Sequence, residues 1–195
     1  MASNSRRCLR RLLAALFLVL ALPAPGLGAE PENDPPTFQG RHFPFTIIRP
    51  LETAPRTPLY TAKGGVTTLH KFKGKVVLLN IWATWCPACL YEMPSLGKLQ
   101  TQLGGDKFTV VSLSVDEGGA EIVFKYLKRL KVLNLPLYFD PAGRTAEAIE
   151  VHEGLPWSFL IDHRGLVMGY MKGAADWSSQ EGRALIGYYT DRISG

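Results

Sequence analysis

The sequence predicts an α/β fold in which helices flank a mixed central β-sheet. Three observations carry that expectation. Strand-like and helix-like stretches alternate through the middle of the chain. Two strand candidates then stand together at the end, joined across His163-Arg164-Gly165. Finally, Val76, Val77, Leu78, Leu79 and Ile81 form a near-continuous apolar run, as in a strand covered on both faces of a parallel sheet. That run leads straight into Trp85-Cys86-Pro87-Ala88-Cys89.

A C-x-x-C directly after a buried strand points to redox chemistry. Other uses of paired cysteines fit less well. A structural zinc site takes four ligands, and the chain has only one other cysteine, Cys8, far away in an N-terminal basic cluster. Covalent haem attachment needs a histidine after the second cysteine, and position 90 is Leu90. A purely structural bridge over so short a loop would restrain the unfolded chain only modestly.

The 195-residue chain carries a formal charge of +5. Most of that excess lies at the start, in Arg6, Arg7, Arg10 and Arg11. The apolar run Leu12 to Leu22 follows, then Pro23, Pro25 and Gly26. This is the order of a secretory signal peptide, with Ala29 as a cleavage point. The run is short for a membrane span, which takes about 20 residues; an uncleaved anchor is the alternative. We therefore divide the chain into a signal peptide or membrane anchor (1–29), a Pro-rich tether and irregular lead-in (30–58), and one α/β domain (59–195). Beyond residue 29 there remain 18 basic residues against 17 acidic. Such a balance offers no footprint for nucleic acid. Export with one closely spaced cysteine pair suggests redox function rather than a disulfide scaffold.

The elements are expected in this order. Leu59 to Ala62 and Val66 to Leu69 flank Lys63-Gly64-Gly65 as a small hairpin. After the central strand, a helix runs to about Leu103 and stops at Gly104-Gly105. Pro94 either kinks it or marks its true start. Phe108 to Val115 is a second strand. Gly118-Gly119 opens a helix with Ile122, Val123, Tyr126, Leu127 and Leu130 on one face. Leu137 to Phe139 is a short strand, and Arg144 to Val151 a short helix. Ser158 to Asp162 and Leu166 to Met171 are the strand pair. Ser178 or Ser179 caps a closing helix that reaches Ile193.

The segment FKGKVVLLNIWATWCPAC, Phe72 to Cys89, resembles the signature of the thioredoxin superfamily, in particular its TlpA/ResA/DsbE (CcmG) group of exported thiol–disulfide oxidoreductases. Glu92-Met93-Pro94 and the stretch Gly154 to Asp162 are similar to that group too. DsbE proteins usually carry an acidic residue after the second proline; here Trp157 stands there, and Ala174-Asp176-Trp177 looks more like TlpA. The resemblance implies a thioredoxin fold with an N-terminal β-hairpin extension.

Cys86, at a helix N-terminus, is the expected nucleophile, and Cys89 the resolving thiol. Pro87 suits the first helical position. Glu92, three residues after Cys89, shares its helix face, and the resemblance makes it an acid/base for the cysteines. Asn80 stands where thioredoxin has a buried aspartate. Pro156 matches the family's cis-proline, so Leu155 would offer its backbone to a substrate strand. Trp85 is expected to border the reactive sulfur and Trp82 to support the turn.

No cofactor beyond a redox-active Cys86–Cys89 disulfide is implied, and no metal. The expected partners are exported proteins with cysteine pairs and a membrane thiol donor, in the periplasm or an equivalent space. Relatives of this kind serve cytochrome biogenesis, at copper sites or on c-type apocytochromes. Two rivals share features with this reading. A thiol peroxidase shares the fold but uses a different cysteine motif. A copper carrier would hold Cu(I) through Cys86, Cys89 and a histidine such as His152; His163 is the other candidate ligand.

Overall fold

The computed structural model describes residues 34–193. Its elements are β1 (Thr46–Thr53), β2 (Leu59–Thr61), β3 (Val66–Thr67), β4 (Val76–Trp82), α1 (Pro87–Leu103), β5 (Phe108–Ser114), α2 (Gly119–Arg129), β6 (Leu137–Phe139), α3 (Arg144–Ala148), β7 (Trp157–Ile161), β8 (Leu166–Lys172) and α4 (Gln180–Thr190). Among the described residues the strands form one sheet in the order β1-β8-β7-β4-β5-β6-β2-β3. β4 runs parallel to β5 and antiparallel to β7, so the sheet is mixed, as expected.

β4 and β5 are buried at every position. Each has strands on both sides and a packed layer on both faces, which is why their sequences read as apolar runs. Alternation along β4 sorts its side chains. Val76, Leu78 and Trp82 join one core with Met93, Leu96 and Leu99 of α1 and with Leu185 and Ile186 of α4. Val77, Leu79 and Ile81 join a second core with Val111, Leu113 and Phe159. Asn80 falls in step with the first set and therefore faces the helical layer.

α1 is a single helix through Pro94. Leu96 and Leu99 are fully buried, each contributing about 1.5–3 kcal/mol of apolar burial. Gly97 lies between them. A Cβ there would stand 2.9 Å from Val132 Cγ1, so the chain after α2 can approach α1 only over a glycine. Gly104 caps the helix end. Ser179 is the cap of α4, its side chain accepting from the Gly182 N–H; the helix stops at Thr190 rather than Ile193. Of the residues expected on one face of α2, Val123 and Leu127 are buried, while Ile122 is exposed.

The N-terminal boundary needs correction. Residues 30–58 were expected to be irregular, yet residues 46–53 form β1, an edge strand paired antiparallel with β8. The register shifts between Ile47 and Glu52, around Pro50, and six of its eight positions are exposed. Those features hide a strand from pattern reading. Phe38 is buried as well and packs on the Trp177 ring at 4.9 Å. The compact unit thus begins near Asp34, not Leu59. The expected hairpin is present as β2 and β3, docked on β6 at the far edge. The proposed leader, residues 1–29 with Cys8, lies outside the described residues. Among those described, no helix is long and apolar enough to cross a membrane.

Candidate active site

Ile81 near the end of β4 pairs with Trp157 at the start of β7. The turn that leaves β4 and the loop that enters β7 therefore meet at one end of the sheet. The turn carries Cys86 and Cys89, joined in a disulfide. The loop carries Leu155 and Pro156, joined by a cis peptide bond. Cys86 is the N-cap of α1, and its sulfur accepts a hydrogen bond from the Cys89 N–H at 3.1 Å. A thiolate at that place gains from the free N–H groups and dipole of the helix start. Cys86 is 5% exposed and Cys89 fully buried, so an incoming sulfur meets Cys86 first. Pro87 occupies the first helical turn. Pro87 and Ala88 are exposed, and Trp85, directly before Cys86 in the chain, is 68% exposed.

Glu92 lies one turn along α1 from Cys89 and is buried. Its Oε1 accepts from Asn80 Nδ2 at 2.7 Å, and its Oε2 from the Ala175 N–H at 3.1 Å. No cation is paired with it among the described ion pairs. Burial raises its carboxyl from 4.5 to about 8, against the lowering effect of Asn80, the Ala175 N–H and the Trp177 indole. The pull of Trp177 acts from outside hydrogen-bond geometry, because Trp177 Nε1 has no partner of its own. Asn80 Nδ2 also donates to Ser158 Oγ at 3.0 Å, leaving Asn80 Oδ1 without a donor. Burial thus favours the protonated carboxyl near neutral pH, one helical turn from Cys89.

A second buried carboxylate holds the turn itself. The Thr84 N–H donates to both oxygens of Asp116, at 3.1 and 2.9 Å. The hydroxyls of Thr84 and Ser114 donate to it at 2.6 and 2.8 Å. Trp82 is fully buried in the core beneath the turn, consistent with support rather than contact with a substrate.

A groove of about 330 Å³ opens beside the disulfide. Its lining includes Ala88, Leu155 and Pro156 together with Arg41, Phe43 and Ala174. The groove brings the cysteine turn and the cis-proline loop together, as the resemblance implied. His152 and His163 line other cavities, and among the described residues no three His, Cys, Asp or Glu side chains cluster to hold a metal ion.

Asp116, Thr84, Ser158, Ala175 and Arg41 were not anticipated from the sequence. Asp116 had a signal: it directly follows a buried parallel strand, and ligand and catalytic groups in α/β sheets gather outside the carboxyl ends of strands. Arg41 had none, because its segment read as a tether.

Residues 50–169 match the profile of the AhpC/TSA family. The chain is 34% identical to the thiol-disulfide oxidoreductase ResA of Bacillus thuringiensis over 132 residues, 66% of this chain and 75% of that protein. It is 27% identical to the thiol:disulfide interchange protein DsbE of Pseudomonas aeruginosa, over 90% of this chain and 91% of the relative. A DsbE-type structure from Chlorobium tepidum superposes with a TM-score of 0.63 at 28% identity, covering 72% of this chain and 96% of that one. Together with the disulfide at the start of α1, these likenesses show that the chain belongs to the AhpC/TSA family and, within it, to the TlpA/ResA/DsbE-like group of thioredoxin-fold thiol–disulfide oxidoreductases.

Proposed function

We propose that this oxidoreductase works as a reductase of cysteine pairs in exported proteins, in the periplasm or an equivalent space, during biogenesis of copper-site or c-type cytochromes. The observation that carries the reading is Glu92, a buried carboxyl that burial pushes up to about 8, one helical turn from Cys89. A donor thiolate attacks Cys86 Sγ, and the Cys86–Cys89 bond breaks. Cys89 leaves as a thiolate and takes the Glu92 proton, so the leaving group is neutralised where no water reaches it. A second donor thiolate then frees Cys86. In the forward half, the Cys86 thiolate attacks a client disulfide and expels one client thiolate. Glu92, now a carboxylate, takes the Cys89 proton back. Cys89 attacks Cys86 and releases the second client thiolate. Two electrons pass to the client and the disulfide re-forms.

The dithiol carries the electrons, so no organic cofactor is required. The donor is a membrane thiol protein, and the basic–apolar leader delivers the enzyme to the exported side, cleaved or as an anchor.

The reduction potential of Cys86/Cys89 tests this reading, by equilibration with defined thiol buffers followed by alkylation. A value near or below about −230 mV is expected. A value near about −120 mV would make the protein a disulfide donor instead. Peroxide consumption faster than disulfide exchange would favour the thiol peroxidase reading.

A further inference from the structure

Arg41, His42 and Phe43, which line the groove together with Leu155 and Pro156, come from the N-terminal segment, outside the expected domain. The segment is firmly built. Phe38 is buried against Trp177. The Phe45 N–H donates to the Phe38 carbonyl, the Gly40 N–H to the Phe43 carbonyl, and the Arg41 N–H to the Ala174 carbonyl. A Cβ on Gly40 would stand 2.5 Å from Met171 Sδ, so the tight turn at 40–43 seats against β8 because residue 40 is glycine.

That turn places Arg41 at the mouth of the groove. Its guanidinium lies over the ring of Tyr91, 4.6 Å from the centroid. Tyr91 is 63% exposed and stands one helical turn beyond Ala88, which lies between the two cysteines. Among the described residues Arg41 has no ion-pair partner. The groove's lysine is paired: Lys172 Nζ donates to Glu153 Oε2 at 2.9 Å. Among the described residues that line the groove, Glu153 is the one carboxylate. The groove is thus left with an unpaired, pre-positioned cation beside the redox turn.

We propose that Arg41, stacked on Tyr91, selects clients whose cysteine pair has an aspartate or glutamate close by in an extended segment. The proposal rests on the reductase reading above and adds a client chemistry to it. One helical turn plus the reach of an arginine corresponds to about two to four extended residues from the client cysteine. A planar guanidinium held on an aromatic ring still offers its edge to a carboxylate.

The test uses three disulfide-bonded peptides that differ only in an Asp, Asn or Lys three residues from one cysteine. Exchange rates are measured in both directions and divided by each peptide's rate with dithiothreitol, which removes its intrinsic reactivity. The parent protein should favour Asp over Lys by roughly threefold to fivefold at low salt, as an exposed ion pair allows, and the preference should fade in about 1 M salt. Arg41→Gln should bring the Asp:Lys ratio to one, Arg41→Glu should invert it, and Arg41→Lys should largely retain it. Equal rates for the three peptides in the parent, or an unchanged ratio in Arg41→Glu, would overturn the proposal. The reductase reading fails by a separate outcome: oxidation of the reduced peptides without reduction of the oxidised ones, in which case the charge ratio still reports on Arg41.

Discussion

Glu92 and Asp116 are both buried carboxylates, one on the helix that leaves the cysteine turn and the other bonded to Thr84 in the turn, and they are treated in opposite ways. Asp116 is saturated: one backbone N–H shared by its two oxygens and two hydroxyls are aimed at it. Glu92 has one amide side chain and one backbone N–H, in a pocket with no cation paired to it. A carboxylate whose oxygens are engaged by donors of the turn is a structural tie. A carboxylate short of donors keeps its proton and can trade it. One carboxylate therefore holds the cysteine turn, and in the proposed mechanism the other serves its sulfurs.

The strongest way to break this contrast is Asp116→Ala. It leaves the Thr84 N–H and two buried hydroxyls without an acceptor, so unfolding stability should fall by about 3 kcal/mol in urea titration. If the variant keeps its stability and loses exchange, Asp116 is a chemical group and the contrast collapses. Glu92→Gln should act the other way. Exchange should slow by about 100-fold in stopped-flow assays, the scale of a lost acid/base group. Its effect on stability has a definite sign. The folded carboxyl titrates near 8 and the unfolded one near 4.5, so between those values the unfolded state releases its proton first. Parent stability should decline as pH rises from about 4.5 to about 8 and level off above. The Gln variant should lose that decline and be relatively more stable at pH 8. The smallest change is Trp177→Phe, which removes the indole N–H that lowers the Glu92 titration. The midpoint of the exchange–pH profile should move slightly upward. A downward move would mean that the indole acts by packing alone.

The same contrast shows what the sequence makes legible. β4 and the cysteine pair could be read from local patterns, an apolar run and a spacing, whereas Glu92 and Pro156 were singled out by the family resemblance, the sequence alone giving Pro156 only as a proline before a strand. Glu92 also shares a helix face with Cys89, and that needs only a count of three. The partners that give each acid its character were invisible. The Thr84–Asp116 contact spans 32 residues and the Glu92–Ala175 contact 83. Such pairings arise from the order of strands in the sheet, which no local periodicity encodes. β1 was missed for a different reason. It is an exposed edge strand interrupted by Pro50 and a register shift, so its composition is that of a linker. Missing it also concealed Arg41, whose turn leads into it.

The two outermost strands of the sheet carry a consequence of their own. β3 has only two residues, and β1 is broken midway by its irregular pairing and by a residue without an N–H. Neither margin offers a clean ladder to a stray polypeptide. In the exported setting proposed above, unfolded chains rich in strand-forming segments would surround the enzyme. Blunted margins would let it meet that traffic without becoming a template for aggregation.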